Sequence, residues 1–240
     1  MNNIIYILCS MSSMVLRFNA ITHEQLRYFD VTGMMSPHDI AACDQTSQLY
    51  IADFECVWRV SADGSDIRRW LPRILTERLS PWTLSVTSTR LLVTLSHVRQ
   101  LVQFDSSGSE LRRIRLPLHF VPRHAVQSSS SETFIVSYND MQLDQDLISE
   151  FSMHDEQLRH FSNSCLRWPD YLHVDFHGNV LVADAYNRRV LLLDARLKLR
   201  RVIVDEFQLS STQLRGLHYV EQTGNLLVAL DEGVAVFNLL

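Results

Sequence analysis

The side chains best suited to chemistry recur at one place, just after a residue that opens a β-type run. His38 and Asp39 follow Pro37, Trp82 and Thr83 follow Pro81, and Arg123 and His124 follow Pro122. Asp170 and Tyr171 follow Pro169, and Arg215 and Gly216 follow Leu214. Carboxylates beside histidines can hold a metal or move protons, but oxygen-rich cation sites want roughly six to eight ligands. Asp39 and Asp170 are the only carboxylates in this set, so neither a metal nor any other cofactor is expected. Trp82 and Tyr171 beside Arg123 and Arg215 suit contact with a protein or peptide, where aromatic and arginine side chains make the strongest anchors. A second candidate is the polar run Asn139–Asp146, which includes Asp140. It reads as the longest and most acidic loop, and long loops on a rigid scaffold are common places for recognition.

A repeat positions these residues. Leu-Arg or Ile-Arg pairs at Leu26, Ile67, Leu111, Leu158 and Leu199 recur at intervals of about 41 to 47 residues. A proline three residues before an apolar position (Pro37 and Ile40, Pro81 and Leu84, Pro122 and Ala125, Pro169 and Leu172) keeps the same period, and Leu214 with Leu217 continues it. Each period holds short apolar runs split by polar turns, as in Ile40–Cys43, Leu49–Ala52, Val57–Val60 and Ile67–Leu71. The runs are too short for helices and lack a 3.6-residue recurrence. Four such strands describe one antiparallel propeller blade. The expectation is an all-β, six-bladed β-propeller forming one domain over 1–240, with blades near 4–30, 36–71, 80–116, 121–161, 168–204 and 214–240. The first and last blades are incomplete, one lacking its innermost strand and the other its outermost. The residues after each proline then line one mouth of a central channel, where the loops between second and third strands also open.

Residues 181–194 resemble the NHL repeat: a strand ending in Ala183-Asp184, then Asn187, Arg189 and a further apolar strand from Val190. Leu49 to Asp53 followed by Val57 to Val60 is a looser copy without the asparagine, and Thr94, Ser137 and Leu230 stand near the aspartate position in three other blades. Asp184, Asn187 and Arg189 read as residues that tie a turn together. The resemblance implies a propeller that recognises protein or RNA. Lactonase-like propellers, which hold a divalent metal, and an amidating lyase are the enzymatic alternatives it brings.

Composition sets outer bounds. The 240 residues are 46% hydrophobic and 20% charged, the balance of a globular chain. A net charge of −5 gives no overall attraction to nucleic acid or anionic membrane. An RNA site would instead draw on arginines of the outermost strands: Arg27, Arg68, Arg69, Arg112, Arg113, Arg159, Arg200 and Arg201. Charged outer strands also discourage edge-to-edge pairing, and the acidic neighbours Asp63, Asp66, Glu110, Asp155 and Glu156 favour that reading. With seven glycines, turns must use Asp, Asn and Ser. Cys9, Cys43, Cys56 and Cys165 form no CxxC pair and read as free, buried thiols of a reducing compartment, which suggests a cytoplasmic monomer. No apolar segment reaches the roughly 20 residues of a membrane span. The sequence thus predicts a non-enzymatic binding scaffold for a protein or peptide. RNA binding and a metal-dependent lactonase or hydrolase are the alternatives.

Overall fold

The computed structural model describes residues 4–9, 12–71, 80–128, 132–209 and 213–239. Its strands form six antiparallel sheets, each a meander of consecutive strands, which gives the chain the β-propeller architecture. The first blade holds β1 (Ile4–Leu8), β2 (Met14–Asn19) and β3 (Gln25–Asp30). The second holds β4 (Pro37–Cys43), β5 (Gln48–Asp53), β6 (Val57–Ser61) and β7 (Ile67–Arg69). The third holds β8 (Thr83–Thr87), β9 (Arg90–Leu95), β10 (Gln100–Phe104) and β11 (Glu110–Arg115). The fourth holds β12 (Phe120–Gln127), β13 (Phe134–Asp140), β14 (Gln145–Phe151) and β15 (Gln157–Ser162). The fifth holds β16 (Pro169–Val174), β17 (Val180–Asp184), β18 (Arg189–Leu193) and β19 (Leu199–Val204). The sixth holds β20 (Leu214–Val220), β21 (Asn225–Leu230) and β22 (Gly233–Asn238). Its expected last residue, Leu240, lies outside the described residues.

The chain divides into two compact units, residues 1–113 and 114–240. In the first, β4 packs on β8, and β1 meets β4 as β5 meets β8. That places β1 in the second-strand position of a blade. In the other unit β12 packs on β16 and β16 on β20, while β13 and β17 repeat the second-strand contact.

Burial follows strand order. β5, β9, β13 and β17 are almost wholly buried, whereas β7, β15 and β19 are largely exposed. The Val-, Leu- and Ile-rich second and third strands therefore make the core between neighbouring blades, and the arginine-bearing fourth strands face water. Aspartate does the turn work that scarce glycine cannot. Asp105 Oδ1 accepts N–H bonds from Ser107 and Ser109, and Asp194 Oδ1 accepts them from Arg196 and Lys198.

The aspartates of the repeat also bind their blades. Asp184 is fully buried and accepts from the Arg167 N–H at 2.9 Å and from Arg189 Nε at 2.7 Å, with Asn187 at 2.9 Å. Asp53 holds the same place in the second blade but accepts from the Ser36 N–H and from Trp58 Nε1. Register moves the equivalent position by one residue in the third and fourth blades. Tyr138, not Ser137, stands opposite Pro122, and Leu95 follows the Thr94 that pairs with Thr83. Leu95 is buried and apolar, whereas the buried Tyr138 bonds Ser149 Oγ through its hydroxyl at 2.8 Å, so packing replaces the aspartate clasp in the third blade and a hydroxyl bond replaces it in the fourth.

Candidate functional site

A β-bulge explains why chemistry gathers after each opening residue. Pairing skips one residue between Pro37 and Asp39, Pro122 and His124, Pro169 and Tyr171, and Leu214 and Gly216. The skipped residues are His38, Arg123, Asp170 and Arg215. A bulge leaves its extra residue outside the ladder and re-aims its side chain. Trp82 holds the same place in the third blade, its N–H bonded to the Thr94 carbonyl at 2.9 Å. Five of the side chains singled out from sequence therefore share one structural position.

The next residue along the strand joins blades. In the first unit an Asp39 oxygen accepts the Leu84 N–H of the following blade at 2.7 Å, and the other accepts from Ile40 at 2.9 Å. In the second unit His124 Nδ1 accepts the Leu172 N–H at 3.2 Å, leaving the ring's remaining proton on Nε2 in the neutral form. Burial pushes the Asp39 carboxyl up to about 7, against the pull of these two N–H groups. His38 packs its ring 4.9 Å from that of Trp82, and burial lowers its affinity for a proton.

In the second unit the bulge residues enter a line of alternating charge. Arg123 reaches Asp170 at 3.2 Å and Asp146 at 3.5 Å, and its guanidinium lies 5.8 Å from the Trp168 ring centre. Arg215 bonds Asp231 at 2.6 Å. Burial raises the Asp170 carboxyl above its ordinary range, although Arg123 opposes this. Trp168 has φ of 52°, a left-handed backbone rare for a bulky residue. Its N–H is held by Asp146 at 2.9 Å. Trp168 and Tyr186 are exposed and meet edge to face at 5.5 Å.

Farther along the first strands lies a histidine pair that sequence reading passed over. His173 and His218 both stand four residues after the opening position, and their rings meet edge to face at 5.2 Å. Burial, then His218 and His124, push His173 down to about 3, so it is neutral at physiological pH. His218 is exposed. Their shared offset within the repeat was the available signal.

The loop expected over Asn139–Asp146 is much shorter. β13 and β14 continue through Asn139–Asp146 and Asp140–Gln145 pairs, leaving a turn of residues 141–144. Asp140 caps that turn by accepting from the Gln142 N–H at 2.9 Å, and Asp146 is buried against Arg123. Cys43 and Cys56 are buried thiols, but Cys165 is exposed, unlike the expectation for it. The outer arginines are matched by acids: Arg68 with Asp66, Arg69 with Glu55, Arg113 with Glu110 and Arg200 with Asp194. Among the described residues no three His, Cys, Asp or Glu side chains converge to hold a metal ion, and no helix is long and apolar enough to cross a membrane.

No family model matches the chain, and no curated protein matches it. Solved structures do. A gluconolactonase from Xanthomonas campestris has a TM-score of 0.74 at 14% identity, over 97% of this chain and 81% of that one. Virginiamycin B lyase from Staphylococcus aureus, as an inactive variant with quinupristin, gives 0.66 at 11%, over 96% and 74%. A nidogen/laminin complex gives 0.73 at 15%, over 98% and 89%. Such identities speak for the fold, and the fold is the six-bladed β-propeller. The gluconolactonase match also corrects the non-enzymatic scaffold expected from sequence. That expectation rested on the lack of an evident catalytic set, and an enzyme's architecture over nearly the whole chain removes its ground.

Proposed function

We propose that residues 1–240 form one NHL-type propeller domain that acts as an acid–base enzyme on a small, polyhydroxylated lactone or ester. The observation that carries this reading is the His173–His218 pair, set at equivalent positions of adjacent first strands. His173, kept neutral by burial, fixes the surroundings of the exposed His218. His218 then takes a proton from water as its oxygen attacks the substrate carbonyl. The acyl C–O bond breaks, and the imidazolium returns the proton to the leaving alkoxide, giving a hydroxy acid. General acid–base catalysis of this kind contributes about 10²- to 10⁴-fold. The bulge residues lie about 10 Å away along the strand, where Arg123, Asp170 and Arg215 offer donors and acceptors to substrate hydroxyls and Trp168 offers a ring face. Likeness to a gluconolactonase supports the substrate class. The free thiols of Cys43 and Cys56 support a reducing, cytoplasmic setting.

Hydrolysis of a panel of sugar lactones and aliphatic esters, followed by pH-stat, tests the proposal. Turnover should survive a chelator and fall about 100-fold or more in His218→Gln, with an unchanged circular dichroism spectrum. Turnover that is untouched in His218→Gln, or absent for every substrate, would overturn it.

A further inference from the structure

A polar cleft lies within the first unit, and none of its lining residues belongs to the histidine pair. It has a volume of about 590 Å³ and runs between the outer part of the first blade and the β6–β7 turn of the second. That volume falls within the usual range for small-molecule sites, about 300–1,000 Å³. Arg17, Arg27, Tyr28, Phe29, Asp30 and Asp63 are among its lining residues.

Its basic and acidic side chains differ in what already occupies them. Asp63 is committed to its own turn, accepting from the hydroxyls of Ser61 at 2.6 Å and Ser65 at 2.8 Å, and from the Ser65 N–H at 3.0 Å. Those bonds hold its carboxyl down at about 2. Arg17 lies beside Tyr6, whose hydroxyl donates to the Ala62 carbonyl at 3.1 Å. The Arg17 Nε–H is buried without an acceptor among the described residues. A buried donor left unmade is costly, and an oxyanion seated in the cleft beside Arg17 would supply the acceptor. Arg27 has no carboxylate partner among the described residues, unlike Arg68, Arg69, Arg113 and Arg200 on the other outer strands. The cleft wall is tightly built: a Cβ on Gly64, whose φ is +79°, would lie 2.9 Å from the Phe29 ring.

We infer that this cleft binds a hydroxylated organic anion, a sugar phosphate or a sugar acid. Its oxyanion meets Arg17 and Arg27, its hydroxyls donate to Asp30, and its carbon face lies on Tyr28. Glucose 6-phosphate and glucuronate represent the two sources of that chemistry, with glucose and inorganic phosphate as the separate halves. Isothermal titration and thermal shift on the whole chain should show one or both anions binding at least tenfold tighter than either half. Arg27→Glu should abolish that binding while leaving the unliganded melting temperature within a degree or two, because Arg27 is exposed. Arg17→Lys should weaken it in parallel. No heat or melting shift with either anion, equal binding of phosphate alone, or binding that persists in Arg27→Glu would overturn the inference. Activity at His218 should be unaffected by Arg27→Glu, so the two sites stand or fall separately.

Discussion

Asp39 and His173, both on first strands of their blades, carry opposite linkage. Asp39 has a folded value of about 7 against an ordinary 3.8. The folded chain therefore holds a proton that the unfolded chain has lost, and stability falls as pH rises from about 4 to 7. Above pH 7 the buried carboxylate carries its full cost. Asp39→Asn should flatten that slope and leave the protein about 1–2 kcal/mol more stable at pH 8, after allowing for partial exposure and one weakened N–H bond. A variant less stable than the parent at pH 8, in urea titrations, would mean that the two N–H bonds dominate. His173 runs the other way. Its folded value is about 3 against 6.5, so below pH 6.5 the unfolded chain takes up a proton that the folded chain refuses, and stability falls as pH drops toward 3. His173→Phe should remove this acid sensitivity. The parent protein superposes both slopes, so only the single variants, measured at pH 4, 6 and 8, separate them.

At the scale of the strand, the bulge turns a sheet edge into a set of presented side chains. Arg123 is the clearest case, since it joins β12 to Asp170 of the next blade and to the buried Asp146 of its own. Arg123→Ala leaves Asp146, only 4% exposed in its side chain, without its cation, which should cost about 2–4 kcal/mol. Asp170→Asn should cost less than about 1 kcal/mol, because that carboxylate is one-third exposed. Equal losses in urea unfolding would show that the interblade bond, not the burial of Asp146, is what Arg123 serves. The repeat and the shared first-strand position of these residues were legible because proline and the following apolar residue are local signals. The Asn139–Asp146 segment was not. Its acids read as a loop, yet Asp146 is buried on a strand by an arginine 23 residues before it, a partner that local patterning does not reveal. The histidine pair was hidden for a related reason, since its members lie 45 residues apart and meet only once two blades are packed.

At the scale of the whole chain the question is whether the two packed units unfold together. Repeat proteins of this kind are held by nearest-neighbour interfaces, and their cooperativity depends on every interface being strong relative to each repeat. In the first unit the first-strand interface combines the cluster around Tyr50, Leu84, Val93 and Phe104 with the Asp39–Leu84 bond. In the second it combines Leu172, Val126 and Ile148 with the His124–Leu172 bond. Equivalent construction on both sides argues for comparable strength, and hence for the single domain over residues 1–240 that we propose. The tryptophans offer a direct measurement, because Trp58, Trp70 and Trp82 fall in the first unit and Trp168 alone in the second. Fluorescence therefore reports mainly on residues 1–113, while circular dichroism weighs both. The two probes should give coincident urea midpoints in the parent protein. Trp168→Phe should leave the fluorescence midpoint tracking circular dichroism, even though the remaining signal then comes wholly from the first unit. Midpoints that separate would show that each unit melts by itself, and the domain boundary would move to the division within β11.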